Sequence, residues 1–165
     1  MRPGLGQRRL ARLLDVRRVI VLRNSGHTVA KLLDAIRVGP SFRVVNFTHP
    51  ECAHLSAEFA ADSHVSLLLT RGTEGEPVAD PRRLPRLDVF IGGNLRGDLS
   101  QPPHEGVLSE LPLLPQSRDA ATTAVYIQSV IGSEKPAPTP LVRQVDVIAR
   151  AIACMAGDAA AKPAA

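Results

Sequence analysis

The spacing of apolar residues changes along this chain, and each change predicts an element. Near the start, Leu10, Leu13 and Leu14 recur at helical spacing, while Arg8, Arg9 and Arg12 lie largely off that stripe. A helix over Gln7 to Arg18 follows, imperfect because Arg17 drifts back toward the apolar side. The run Arg23-Asn24-Ser25-Gly26 reads as a turn. A second helix is expected from Thr28 to Ile36, capped by Ser25 or Thr28 and stopped by Gly39-Pro40. Phe42 to Phe47 then reads as a strand, Pro50 opens a helix running to about Asp62, and Val65 to Thr70 is a second apolar strand. Strand, helix and strand in this order form a βαβ unit, which implies parallel pairing and a right-handed crossover. Leu87 to Ile91 is a third strand, stopped by Gly92-Gly93.

Beyond it, residues 94–117 are proline-rich and irregular, with a short strand expected around Val107 to Leu111. Asp119 starts a helix to about Ile131, closed by Gly132. Pro136, Pro138 and Pro140 form a stiff linker before a last helix from Leu141 to Met155, and the tail from Gly157 to Ala165 is expected to fray. No internal repeat is visible. The division implied is one α/β domain over residues 1–156 and a flexible tail over 157–165.

Composition sets limits on this outline. At 165 residues, 44% hydrophobic and 22% charged, the chain can bury a core and is not disordered throughout. Only 3% of residues are aromatic, so the core is built from Leu, Val, Ile and Ala. The longest candidate for a membrane segment, Val19 to Leu22, ends at Arg23, and no apolar core follows the N-terminal arginines as a signal peptide would need. Two cysteines make no disulfide framework, so the expected location is cytoplasmic and reduced.

Charge is more informative than its sum. The net charge is +4, yet residues 1–37 hold nine Arg and Lys against two Asp, and the remainder is acidic by three. A basic segment of this kind attracts polyanions through counterion release; the plain alternative is a solvated helix face. With one Tyr and four Phe there are few stacking platforms, so nucleic-acid binding would rest on arginines against phosphates and carry little sequence preference.

Other chemistry has less support. There is no Walker A sequence and no G-x-G-x-x-G. Gly72-Thr73-Glu74-Gly75 follows a strand, where α/β ligands bind, but Glu74 and Glu76 would repel a phosphate unless a Mg²⁺ stood between. The alternative is an exposed acidic turn. His49, Cys52 and His54 have no fourth partner for zinc. His27, among arginines, would either contact a phosphate or anchor its loop. Ser100, Ser109, Ser117 and Cys52 have no activating set, so no catalytic residue is assigned.

Two motifs, RNSGHTVAKLL (Arg23 to Leu33) and LLLTRGTEGEPVAD (Leu67 to Asp80), joined to the late Asp119 to Ala124 run, resemble glycosyltransferase family 3. This is the anthranilate phosphoribosyltransferase family, and the resemblance is strongest to its YbiB-type paralogues, a group described as DNA-binding. It spans roughly Gly4 to Ile152 and implies an α/β fold: a mostly parallel sheet flanked by helices, like the larger lobe of the transferase, N-terminally truncated. In the enzymes a Gly-rich loop grips phosphoribosyl pyrophosphate, an arginine helps hold anthranilate, and an Asp-Glu pair binds Mg²⁺. Here the Gly-rich loop falls upstream of Met1, and so does the smaller helical domain that supplies much of the family's dimer contact. Arg17 matches the anthranilate arginine. Of the family site, His27, Gly72, Gly75 and Glu76 also remain. An ungapped comparison places Pro77 and Val78 at the acid pair, and a gapped one keeps only Glu76.

The resemblance therefore implies binding without turnover. The expected function is non-catalytic, sequence-nonspecific nucleic-acid binding through Arg8, Arg9, Arg12, Arg17, Arg18, Arg23 and Lys31, with no cofactor, no metal and no membrane. Two alternatives stay open. One is a phosphoribosyltransferase fragment that needs Mg²⁺, phosphoribosyl pyrophosphate and a separate N-terminal portion. The other is a truncated product without function. A homo-oligomer or a missing N-terminal portion is the other expected partner.

Overall fold

The computed structural model describes residues 5–21, 30–34, 39–73 and 76–161, without the side chains of 5–8, 10, 13, 17, 20 and 159–161. The chain divides into two compact units, Met1–Ser41 and Phe42–Ala165.

In the first unit, helix α1 covers Leu5–Ile20, extending the expected helix at both ends. The helix expected from Thr28 to Ile36 is not continuous. Ala30 is helical, but Lys31 and Leu32 form a turn, and Leu33 N–H donates to the Ala30 carbonyl at 3.3 Å. Residues 22–29 and 35–38 lie outside the described residues. Ser41 Oγ donates to Asp34 Oδ2 at 2.7 Å, tying off the end of the unit.

The second unit is a four-stranded open sheet, β1 (Phe42–Phe47), β2 (Ser66–Arg71), β3 (Leu87–Ile91) and β4 (Asn94–Leu95), paired in that spatial order. Helix α2 (Pro50–Asp62) joins β1 to β2, and α3 (Ala120–Ile131) and α4 (Thr139–Ala161) follow the sheet. The expected βαβ unit forms, with β1 and β2 parallel and Val44 opposite Leu68. The expectation of a mostly parallel sheet needs correction, because β2–β3 and β3–β4 are antiparallel. The reason is local. The described residues of 72–86 hold no helix to carry the chain back across the sheet, so β3 returns alongside β2. Then Gly92 and Gly93, at φ 55° and 85°, make a two-residue hairpin that creates β4. No strand forms at Val107 to Leu111.

Alternation along the strands separates two faces. Leu68, Leu87 and Val89 pack with Val147 and Ala151 of α4, flanked by Phe42, Val44, Ile91, Leu99 and Ile148. On the other face Leu67, Leu69 and Phe90 are buried, and α2 packs on β1 and β2, directing Ser56 and Ala60 inward. Each fully buried Leu or Val contributes about 1.5–3 kcal/mol. Gly93 fits because a Cβ there would lie 2.9 Å from the Ala60 carbonyl oxygen at the end of α2.

Helix α3 starts where expected. Asp119 caps it, accepting from Thr122 N–H at 2.8 Å. Its end differs in detail: Gly132 keeps φ −73°, and the left-handed position falls to Ser133 at φ 62°. Helix α4 starts at Thr139 and runs past the expected end near Met155 to Ala161.

Candidate anion-binding cleft

Strands β1 and β2 run in the same direction and end together at Phe47 and Arg71. A cleft of about 520 Å³ opens there, lined by these two residues, Gly72, Thr73, Asp80, the run Arg83 to Arg86, Pro103, His104 and Gly106. This volume falls in the range of small-ligand sites, and the ends of parallel strands are where α/β proteins place them. Gly72 continues the ladder by donating to the Phe47 carbonyl at 2.8 Å. A Cβ at Gly72 would overlap the Asn46 side-chain amide, so any larger residue there would have to displace that amide. Thr73 and Glu76 then exchange backbone hydrogen bonds at 3.1 and 2.9 Å, closing a tight turn.

The next residues are pinned from a distance. Gln144, buried on α4, accepts from Ala79 N–H at 2.8 Å and donates to the Pro77 carbonyl at 2.9 Å. One side chain thus satisfies two main-chain groups of the loop and fixes it against the helix. The far wall is held by His104 N–H donating to the Leu84 carbonyl at 3.1 Å, and by Leu108 N–H donating to the Arg82 carbonyl at 2.9 Å.

Among the described residues, Arg71, Arg83 and Arg86 line this cleft with His104 and one carboxylate, Asp80. That carboxylate is already engaged: Arg82 donates to Oδ1 through Nε at 3.0 Å and to Oδ2 through its terminal nitrogen at 3.1 Å. These hydrogen bonds, with the charges of Arg82 and Arg83, hold the Asp80 carboxyl below the usual carboxylate range despite partial burial. Arg86 pairs with Asp88 at 2.8 Å. No hydrogen bond or ion pair engages the guanidinium of Arg71 or Arg83 among the described residues. Planar guanidiniums offer forked donors matched to carboxylate and phosphate oxygens, so the cleft suits an anion.

The residues expected from the sequence fall into three groups. Arg8, Arg9, Arg12, Arg17 and Arg18 all lie on α1. The side chains of Arg9, Arg12 and Arg18 are exposed, and those of Arg8 and Arg17 are outside the described residues. Asp15 is the one acid of α1 and reaches Arg18 at 3.7 Å, an exposed contact of little energetic weight. Lys31 is exposed in the turn after Ala30; Arg23, His27 and Gly75 lie outside the described residues. Gly72 and Thr73 line the cleft, and Glu76 is exposed beside it.

Among the described residues, no pair of carboxylates gathers for the metal that the family resemblance implies. Mg²⁺ is held by carboxylates and water. Pro77 and Val78 offer none, Asp80 is taken by Arg82, and Glu74, the neighbour of Glu76, lies outside the described residues. Among the described residues no three His, Cys, Asp or Glu side chains gather. His54 instead meets Glu58 at 3.2 Å along α2.

Inspection of the sequence missed Arg71, Arg83, Arg86, His104 and Gln144. Arg71 was accessible to it as the last residue of a parallel strand. Gln144 left a signal too, a polar residue in register with buried Pro140, Val147 and Ala151.

No family model matches the chain. Its sequence is 35% identical over 132 residues to the Escherichia coli (strain K12) protein described as "Uncharacterized protein YbiB". The match takes in 80% of the chain but 40% of YbiB, so the chain spans about two fifths of that relative's length. No helix among the described residues is long and apolar enough to cross a membrane.

Proposed function

We propose that this chain is a non-catalytic nucleic-acid-binding protein that holds backbone phosphates through arginines and reads little sequence. The observation that carries the proposal is the cleft at the ends of β1 and β2. Arg71 and Arg83 stand there with no hydrogen bond or ion pair at their guanidiniums among the described residues, and Asp80, the carboxylate of the described lining, is engaged by Arg82. Helix α1 adds a second basic surface with Arg9, Arg12 and Arg18 exposed; Arg8, Arg17, Arg23 and Lys31 extend the set. Phosphoribosyl transfer would need a metal or an equivalent charge to stabilise the pyrophosphate leaving group, and the described residues after Gly72 gather no such set.

The test is a titration of labelled duplex and single-stranded oligonucleotides of unrelated sequence across salt concentrations. Affinity is expected to be similar between sequences and to fall linearly in log-log form, by about 0.9 for each phosphate engaged on a duplex. Absence of binding at low salt, or binding without a salt slope, would refute the proposal. Turnover of phosphoribosyl pyrophosphate and anthranilate by the chain would refute the non-catalytic part.

A further inference from the structure

The chain has few aromatic residues, and packing of the sheet uses some of them. Phe42 flanks the cluster beneath α4, and Phe90 is buried on the opposite face. Phe47 belongs to neither cluster. It ends β1, is half-buried and lines the cleft. Its partner across the strands is Arg71. Paired residues of neighbouring strands share a face of the sheet, about 4.8 Å apart. An aromatic residue and a guanidinium therefore stand side by side where the two strands end. Leu84, Pro85 and Pro103 add apolar surface to the same lining, and Arg83 adds a second guanidinium. Among the described residues no hydrogen bond or ion pair engages the guanidinium of Arg71 or Arg83, and Asp80 is held by Arg82.

Arginines alone suit any polyanion, but arginines beside an aromatic residue in a concavity are more selective. In a duplex the bases are stacked and paired inside, with their faces out of reach. A cleft of about 520 Å³ is of the size that encloses one small ligand. It has room for a nucleotide whose base has left the stack and none for a double helix. Proteins that bind single strands combine these same two parts, a positive groove for the backbone and an aromatic face for a base. We infer that the cleft takes one unstacked nucleotide of a single-stranded nucleic acid, its base against Phe47 and its phosphates on Arg71 and Arg83. Resting on the phosphate binding proposed above, this assignment gives the two basic surfaces different ligands: α1 meets backbone charge in either form, and the cleft meets a single strand. Stacking accepts every base, so sequence preference stays small.

Three labelled probes of equal phosphate count test the assignment on the full chain: a single-stranded oligothymidylate, a hairpin duplex, and a strand built of abasic sites. Phe47→Leu keeps the apolar bulk and removes the aromatic face. It should weaken oligothymidylate binding about tenfold and leave the duplex and the abasic strand unchanged. Phe47→Tyr, which keeps the face, should bind as the unsubstituted chain does, and a thermal melt checks that both variants fold. A second measurement needs no substitution: at one salt concentration the unsubstituted chain should hold oligothymidylate more tightly than the abasic strand. Equal affinity for those two strands overturns the assignment and leaves phosphate binding standing. So does a folded Phe47→Leu chain that loses nothing, or one that loses equally on all three probes. Absence of binding to every probe removes the phosphate reading and the cleft assignment with it.

Discussion

The two basic surfaces of this chain are built on opposite plans. On α1 the arginines follow one another along sixteen residues of helix, with Arg9, Arg12 and Arg18 exposed and one carboxylate among them. Around the cleft the arginines come from separate segments, brought together by strand ends and loops and set among carboxylates that pair with Arg82 and Arg86. The first plan needs only a helix and supplies charge density. The second needs the whole second unit to be folded and supplies positions. Charge density governs how tightly a polyanion is held at low salt, and positions govern which phosphates are held and in what geometry.

The largest expected effect comes from the first plan. Replacing Arg9, Arg12 and Arg18 together by Ala should flatten the salt slope by about 2.7 if each engages one duplex phosphate. The melting temperature should barely move, since these side chains are exposed. Fluorescence anisotropy across a salt series, with a thermal melt alongside, checks both. Were the slope unchanged, α1 would be a solvated face and the cleft would carry all binding.

Next is a change that damages the second plan alone. Gln144→Ala leaves the Ala79 N–H and the Pro77 carbonyl without their partner, at about 1–3 kcal/mol for each buried group left unsatisfied. Denaturant unfolding should report that loss. Binding should weaken only through the cleft, with the share due to α1 intact.

Smaller still, Arg71→Ala or Arg83→Ala should lower the slope by about one each, uniformly across sequences. A change confined to one sequence would point to base contact instead.

The smallest effect concerns Asp80, whose carboxyl is held low chiefly by the Arg82 hydrogen bonds. A group with a depressed folded value contributes stability that is present above its unfolded pKa and lost as pH falls through the folded one. The Asp80–Arg82 contact should therefore persist below the ordinary carboxylate range, and cleft affinity should not rise until the medium is more acidic than that. Asp80→Asn should weaken the contact at neutral pH and raise affinity slightly, measurable as a small gain in anisotropy midpoint.

How much of this was legible in the sequence follows from the distance over which each feature is determined. The α2 helix from Pro50 to Asp62, the strand from Leu87 to Ile91 and the Asp119 cap were readable because each rests on a few adjacent residues. The direction of β3 was not, because it depends on how the chain between β2 and β3 is connected, and no short motif announces that. Nor was the cleft: Arg71, Arg83, Arg86 and His104 are separated in the chain and meet only once β2 has paired with β3. The helix expected over residues 28–36 failed where helical periodicity at Lys31 and Leu32 gave way to a turn.

The Gly92-Gly93 turn has a kinetic consequence. Pairing β3 with β4 closes a loop of two residues, whereas pairing β2 with β3 must first confine the long segment between Arg71 and Leu87. Contacts close in sequence form earliest, so the hairpin is the cheapest piece of sheet to assemble. Gly93 N–H also donates to the Val65 carbonyl at 3.0 Å, just ahead of β2. The turn that ends the sheet in space is thus placed to begin it in time, holding the entry to β2 while the arginine-bearing loop finds its place.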